Sequence, residues 1–252
     1  MEKKYELTDE IMEVYLKTLH RIKALRDFGD VKKGDLGGWI EKESNLSHEG
    51  NCWVGDNAKV YGHAKVYNDA KVYGNAKVSG NAKVYDNAQV YENARVCGCA
   101  EVYDFAEVYG DAHVYGDALI FGDAKVSGHT RVGGNIEVFE NARVFGHADV
   151  FSNAKVYGNA VVNGNAKVFG NIEVFGNAKI YGDAKVYGNA KVCGNSEVFG
   201  DVEVYGNARV FGDAEVYDHA EVYGNAKVYG NAQVSGYAKI SDDAQVTGND
   251  TV

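Results

Sequence analysis

The sequence lacks a hydrophobic run that approaches the ~20 residues of a membrane-spanning helix, and its opening residues, Met1 to Lys4, lead into no signal-peptide core. Basic residues are also scarce, because 26 Lys and Arg stand against 36 Asp and Glu and leave a net charge of −10. Such a charge disfavours nonspecific attraction to nucleic acids and to anionic membranes. We therefore expect a cytoplasmic protein with no direct nucleic acid binding and no membrane contact.

Cysteine is rare as well, and each of the four cysteines replaces an Ala, Tyr or Asn of a six-residue repeat. The repeat predicts that Cys52 lies inside, that Cys97 and Cys193 lie on outer faces, and that Cys99 lies in a corner. Cys97 and Cys99 form a C-x-C pair, which is a weak signal for a metal or redox site when no second pair faces it. We expect free thiols and no metal site.

What the sequence does contain is one phrase, most often Gly-Asn-Ala-Lys-Val-Tyr, repeated without insertion or deletion. Val or Ile occupies 34 consecutive positions, six residues apart, from Val54 to Val252. Within the phrase, small and aliphatic residues alternate with charged and aromatic ones, as in a short strand with one buried face. Gly, Asp and Asn then supply a bend. Each phrase predicts one strand and one corner, and the fixed period predicts a solenoid.

Three phrases make one coil of 18 residues, because three such strands folded into a triangle can fill a narrow core. The order of aliphatic, turn and small residues resembles the hexapeptide-repeat superfamily, whose members form a single-stranded left-handed parallel β-helix. The resemblance covers about four fifths of the chain and implies the left hand. We predict an all-β fold: a three-sided parallel β-helix over residues 36–252, and a small N-terminal cap of short strands over residues 1–35.

Two interpretations compete for the cap. Apolar residues from Ile11 to Leu25 recur with helical spacing, whereas residues 4–7 and 20–24 alternate as strands do. Between Arg21 and Trp53 the chain carries the runs Asp27-Phe28-Gly29-Asp30, Gly37-Gly38-Trp39, Asn45-Leu46-Ser47 and Asn51-Cys52-Trp53. These runs resemble the opening of the YdcK-like group of predicted acetyltransferases, and this resemblance favours strands.

The repeat register extends back into this segment. Leu36 falls at an aliphatic place and Ile40 at the small inward place, so we expect the first coil to begin there. His48 stands where an aliphatic residue is expected. We therefore predict an imperfect second coil, with His48 as a capping residue rather than a metal ligand.

Residues 18 apart should stack on successive coils, so the residue after each aliphatic one belongs to one of three outer faces. The first face includes Tyr73 and the second face Tyr61, and both are interrupted by small residues. The third face is nearly continuous, with a break at Cys193. Its aromatic residues are Tyr67, Tyr85, Tyr103, Phe121, Phe139, Tyr157, Phe175, Phe211 and Tyr229.

Stacking between coils accounts for part of this pattern. A strip of exposed rings also marks an interaction surface, because soluble monomers rarely tolerate a long apolar strip. We interpret the nine rings of the third face as partner-binding residues. Side-by-side packing of identical chains is the favoured use, since the resembling superfamily commonly forms trimers, and a protein or glycan partner is the alternative.

Charged residues and asparagines that recur every 18 residues also form rows along the coils, and these rows have simpler interpretations. Alternating charges on the third face predict weak ion pairs between coils, at Glu137, Lys155, Glu173 and Lys191. On the second face a row of like charge, Lys59, Lys77 and Arg95, is interpreted as a solvated row rather than an anion site. Corner asparagines predict a ladder of side-chain amides, at Asn153, Asn171, Asn189, Asn207 and Asn225. Phe105 and Tyr237 stand at corner places where positive φ is expected.

The superfamily resemblance implies an acyltransferase that uses acetyl-CoA or acyl carrier protein, with a catalytic His between subunits. His129 and His147 are the candidates, because a spacing of 18 puts them on one corner about 5 Å apart. Histidine is also a residue that simply accepts corner geometry. An uninterrupted repeat forms no water-excluding pocket of its own, and the chain has no Walker loop and no nucleophile elbow.

Three functions follow from these observations. We favour a non-catalytic scaffold or binding rod without a cofactor, which acts through its aromatic ladders and through self-association. The alternative is an acyl-CoA-dependent acyltransferase, and the second alternative is an acidic inhibitor that mimics nucleic acid. The sequence as given stops at Val252 in mid-phrase, without a closing helix or proline, so unpaired strand edges there also predict a homo-oligomer.

Overall fold

The computed structural model describes residues 2–252. It contains two compact units, which meet in sequence between Asp123 and Ala124. Both units are all-β, and the one helical element among the described residues is a 3-10 turn at Glu43–Asn45. Within the described part of the chain, no helix has the length and apolar character needed to cross a membrane.

The first unit opens with three longer strands, β1 (Tyr5–Val14), β2 (Lys17–Ala24) and β3 (Leu36–Ile40). After the 3-10 turn, short strands recur every six residues. These are β4 to β15, in order Trp53–Val54, Lys59–Val60, Lys65–Val66, Lys71–Val72, Lys77–Val78, Lys83–Val84, Gln89–Val90, Arg95–Val96, Glu101–Val102, Glu107–Val108, His113–Gly116 and Leu119–Ile120.

Strands three apart in the chain pair in parallel, so the first unit has three sheets. Their strand orders are β1-β2-β3-β5-β8-β11-β14, β4-β7-β10-β13 and β6-β9-β12-β15. Within each unit, every described strand pair from β4 onward has the same register, in which residue i lies beside residue i+18, as Val72 lies beside Val90. This constant register confirms the predicted coil of 18 residues.

The second unit consists of the same coils without interruption. Its strands β16 to β36 are Lys125–Val126, Arg131–Gly134, Glu137–Val138, Arg143–Val144, Asp149–Ser152, Lys155–Val156, Val161–Val162, Lys167–Gly170, Glu173–Val174, Lys179–Ile180, Lys185–Gly188, Lys191–Val192, Glu197–Val198, Glu203–Val204, Arg209–Val210, Glu215–Val216, Glu221–Val222, Lys227–Val228, Gln233–Val234, Lys239–Ile240 and Gln245–Val246. They form the parallel sheets β17-β20-β23-β26-β29-β32-β35, β16-β19-β22-β25-β28-β31-β34 and β18-β21-β24-β27-β30-β33-β36.

The core of both units is built from the aliphatic residues at multiples of six and the small residues two places earlier. From Val54 to Val234 every such aliphatic side chain is buried, as the pattern predicts. Larger residues replace Ala at a few places, among them Ile136 and Ile172. The inward prediction is thus confirmed, because alternation along a strand places every second side chain on one face.

The corners differ from the prediction in one respect. Positive φ falls on the second residue after the aliphatic one, such as Asp104 at φ 57° and Gly236 at φ 61°. The expectation of positive φ at Phe105 and Tyr237 is wrong, because each follows that residue by one place. Both rings point into solvent and are 62% and 80% exposed, so neither strains the corner.

The N-terminal segment forms strands rather than a helix. β1 and β2 pair as an antiparallel hairpin, and β2 pairs antiparallel with β3. Leu19 and Ile22 of β2 are buried, while the hairpin turn leaves Tyr15 and Leu16 exposed. β3 also pairs in parallel with β5, so this cap continues one of the three sheets.

The register of the first coil differs from the predicted one by two residues. Ile40 pairs with Val60, and Leu46 forms a bridge with Val66, so both stand 20 residues from their partners. Leu36 is 49% exposed, and the expectation that it points inward is therefore wrong. The same shift explains His48, because Leu46 fills the aliphatic place of the imperfect second coil.

His48 instead supports the cap. Its ring stacks on Tyr5 with centroids 4.4 Å apart, and its Nδ1 accepts a hydrogen bond from the Lys4 backbone N–H at 3.2 Å. The Tyr5 hydroxyl donates to the carbonyl oxygen of Leu46 at 2.8 Å. These contacts tie the irregular coil to the start of β1.

Polar rows join the coils from outside. The corner asparagines donate from Nδ2 to the Oδ1 of the residue 18 positions later at 3.0–3.3 Å, in an unbroken series from Asn135 to Asp243 in the second unit. Lys155 pairs with Glu137, and Lys191 with Glu173, both at 2.9 Å. The predicted amide ladder and cross-coil ion pairs are confirmed at these positions.

Candidate functional site: the aromatic faces

The third face of the first unit is a stack of four rings. Tyr67, Tyr85, Tyr103 and Phe121 follow one another at centroid distances of 4.8–4.9 Å, with their planes within 4° of parallel. The spacing follows from the strand register, because each ring lies one coil from the next and neighbouring parallel strands are separated by about 4.8 Å.

The third face of the second unit is divided at Cys193. Phe139, Tyr157 and Phe175 stack at 4.9–5.0 Å, and Phe211 and Tyr229 stack at 4.9 Å. The first unit therefore brings its rings of this face into one stack, and the second unit brings its rings into two.

The rings are less accessible than the sequence suggested. All nine rings of the third face are half-buried, because each covers part of its neighbour. The second face of the second unit has an equally regular stack, Phe169, Tyr187, Tyr205 and Tyr223, at 4.9–5.1 Å. Phe169 begins this stack and is 37% exposed.

Tyrosine hydroxyls are held by glutamates, a feature that the sequence analysis missed. Tyr181 donates to Oε2 of Glu197 at 2.8 Å, and Lys179 donates to Oε1 of the same carboxylate at 2.8 Å. Burial, together with this hydrogen bond, raises the pKa of Tyr181 to about 12. Hydrogen bonds from Lys179 and Tyr181 lower the pKa of Glu197. The ring is thus fixed in its stack, and the carboxylate is neutralised.

The same triad occurs elsewhere. Lys185, Tyr187 and Glu203 repeat it in the second unit, with hydrogen bonds of 2.8 and 2.9 Å. In the first unit Glu101 accepts from Lys83 and Tyr85 at 2.7 and 2.9 Å. The signal in the sequence is a Glu that follows a Tyr by 16 residues and a Lys by 18, which places all three side chains on one face of two successive coils.

The two candidate histidines do lie together. The rings of His129 and His147 stack with centroids 4.9 Å apart and an interplanar angle of 16°. Both side chains are on an exposed corner. A general base in acyl transfer needs a site that excludes water, and this corner of the second unit does not provide that enclosure by itself.

The cysteines lie where the repeat predicts. Cys52 is buried, Cys97 and Cys193 are half-buried, Cys99 is exposed, and all four are free thiols. Lys4 Nζ donates to the Cys52 carbonyl oxygen at 2.8 Å and lies 3.2 Å from its sulfur. Burial lowers the pKa of Lys4 and raises the pKa of Cys52. Among residues 2–252, no three His, Cys, Asp or Glu side chains cluster as metal ligands.

Comparison with known proteins gives one short similarity. A stretch of 45 residues is 51% identical to a protein of Escherichia coli strain K12 named "Uncharacterized acetyltransferase YdcK". The match covers 18% of this chain and 14% of the relative, so the chain matches only a small part of that protein's length. No protein-family model matches the chain.

Proposed function

We propose that this β-solenoid is a non-catalytic scaffold that self-associates side by side through the third face. The observation that carries the proposal is the regular ring stack of this face, which recurs in both units at 4.8–5.0 Å. Aromatic rings already fixed in one orientation lose little conformational entropy when a partner covers them.

A second copy of the chain suits this face better than an unrelated surface. Two copies have the same distance between coils, so rings on one copy can meet rings on the other without losing register along the stack. The charges beside the rings of the third face also alternate in sign from coil to coil. Glu137 pairs with Lys155, and Glu173 pairs with Lys191. A shift of one coil between two copies would place opposite charges together, which favours association and specifies its register.

Replacing Phe121 and Phe139 together with Ser is expected to shift the protein from an oligomer to smaller species in sedimentation velocity, while its β-type circular dichroism stays unchanged. The matched control replaces Phe145 and Phe199 with Ser. These two rings belong to the first face, and Phe199 stacks between Tyr181 and Tyr217 at 4.9 and 5.2 Å. A parent protein that stays monomeric at high concentration, or two double variants that dissociate equally, would refute the proposal.

An acyl-CoA-dependent acyltransferase is the alternative, and the similarity to a protein named as an acetyltransferase favours it. Its candidate residues are His129 and His147, with acetyl-CoA as the acyl donor. Under the scaffold proposal we expect no transfer of the acetyl group from radiolabelled acetyl-CoA to a panel of amine and alcohol acceptors. Transfer that the parent performs, and that His129→Ala and His147→Ala each abolish, would replace the scaffold with the enzyme.

The second alternative, an acidic mimic of nucleic acid, is less well supported. Outward glutamates such as Glu101, Glu197 and Glu203 are each paired with a lysine at 2.7–2.8 Å. A mimic of the phosphate backbone needs a continuous row of unneutralised negative charge, and these pairs interrupt such a row.

A further inference from the structure

The aromatic stack on the first face of the first unit begins with a missing ring. Tyr73, Tyr91 and Tyr109 stack at 4.9 Å with nearly parallel planes. The residue one coil before Tyr73 is Gly55, which keeps the coil register because its N–H donates to the Val72 carbonyl oxygen at 2.8 Å. Tyr73 therefore has a stacked ring on one side, and on the other side it faces the space above Gly55.

A cavity of about 490 Å³ occupies this space. Its walls include Trp53, Tyr73 and Leu36. The indole of Trp53 packs edge-on against Phe28, with centroids 5.4 Å apart and planes at 67°, so this wall is held by the cap. The volume lies within the range of about 300 to 1,000 Å³ that is typical of small-molecule sites.

Polar groups line the rim of the cavity. Lys71 pairs with Asp30 at 2.6 Å, and the Tyr73 hydroxyl donates to Gln89 at 3.1 Å. Two further carboxylates, those of Asp35 and Asp56, also border the cavity. Three carboxylates against one ammonium disfavour a phosphate or sulfate ligand. The excess of hydrogen-bond acceptors suits a neutral ligand with many hydroxyl donors.

A second hollow of about 430 Å³ adjoins the first and shares Asn51, Lys71 and Gln89 with it. Its wall includes Phe105, the corner residue whose ring is 62% exposed. Two connected hollows, each with an aromatic wall, suit a ligand made of several linked rings rather than a single small molecule.

We propose that these hollows bind a neutral oligosaccharide. One pyranose ring stacks on Tyr73 at the place of the missing ring, and its hydroxyls bond the carboxylate and amide groups of the rim. A linked sugar reaches Phe105 in the second hollow. The apolar face of a pyranose fits an aromatic ring, whereas its edge carries the hydroxyl donors that the rim requires. This site lies on the first face and does not depend on self-association through the third.

The sharpest test fills the vacant place. In Gly55→Tyr the new Cβ would lie 3.6 Å from Trp53 Cδ1 and 3.7 Å from Tyr73 Cβ, which are ordinary contacts, and Gly55 does not have positive φ. The new ring is expected to complete the stack, keep the fold and block the sugar. Binding is measured by glycan array and by calorimetric titration with neutral hexasaccharides of glucose, mannose and N-acetylglucosamine.

We expect the parent to bind at least one of these hexasaccharides. Gly55→Tyr should raise the Kd for that hexasaccharide by about tenfold or more. Phe105→Ser, at an exposed position, should weaken binding of the hexasaccharide but leave binding of the corresponding monosaccharide, which occupies only the first hollow, unchanged. The matched control is Ser79→Tyr, which adds a ring on the second face and should bind like the parent.

Three results would overturn the assignment. The first is a parent that binds no neutral glycan on the array or in the titrations. The second is undiminished binding by Gly55→Tyr when circular dichroism shows that it is folded. The third is adenosine binding in this site more tightly than every saccharide, because that outcome would assign a nucleobase to the vacant place.

Discussion

Val162→Asp should prevent the second unit from folding. Val162 is fully buried in β22, in a core only one side chain deep on each of its three sides. An aspartate there would be a charge without a partner, and burial of such a group costs more than about 4 kcal/mol. Since the total stability of a domain is about 5 to 15 kcal/mol, we expect loss of the β-type circular dichroism and recovery in the insoluble fraction.

The adjacent residue supplies the control for this experiment. Val161 lies in the same strand and is the same residue type, but it points outward between Arg143 and Lys179 on the neighbouring coils. Val161→Asp would place a carboxylate between two cations, so its free energy of unfolding, measured in urea, should lie within about 1 kcal/mol of the parent's. Equal effects of the two substitutions would mean that the inward register is wrong.

Gly170→Ala is expected to cost about 3 kcal/mol or more in the free energy of unfolding. Gly170 has φ 109°, which L-residues rarely adopt, and a Cβ there would overlap the backbone oxygen of Gly188 on the next coil. Neither atom can move without breaking the parallel pairing of β23 with β26. The strained φ and the overlap each contribute about 1 to 3 kcal/mol.

Gly236→Ala is the comparison for Gly170→Ala. Gly236 occupies the equivalent corner place with φ 61°, and nothing lies within 4 Å of the Cβ that alanine would add. Its cost should be about 1 to 2 kcal/mol, from the left-handed conformation alone. Urea unfolding of both variants measures the difference, and similar midpoints would show that the next coil yields to a side chain at Gly170.

The regular coils could be predicted from the sequence because their environment repeats. Val162 must be inward and Val161 outward once the period of six is known, since strand alternation and the 18-residue coil leave no other arrangement. The amide ladder from Asn135 and the stacked pair His129 and His147 follow from the same rule. A spacing of 18 places like residues one coil apart, wherever the repeat is unbroken.

The predicted register was wrong at the N-terminal end of the repeat, where the cap meets the first coil. Continuing the period predicts the places of Leu36 and Ile40 in a regular coil, but the pairing of β3 with β2 and β5 shifts the register by two residues and turns Leu36 to the surface. The sequence contains no local mark of this shift. The shift results from the packing of the cap hairpin, because the pairing of β3 with other strands determines which of its side chains point inward.

The candidate sites divide in the same way. The membership of each aromatic face was determined by the sequence alone, because the period assigns every ring to a face and to a coil. The tertiary structure decided how much of each ring is covered, which hydroxyls bond a glutamate, and that the cap beside Gly55 turns a missing ring into a cavity. These properties depend on contacts between side chains from different coils and from the cap, and a one-dimensional period specifies where residues lie but not what surrounds them.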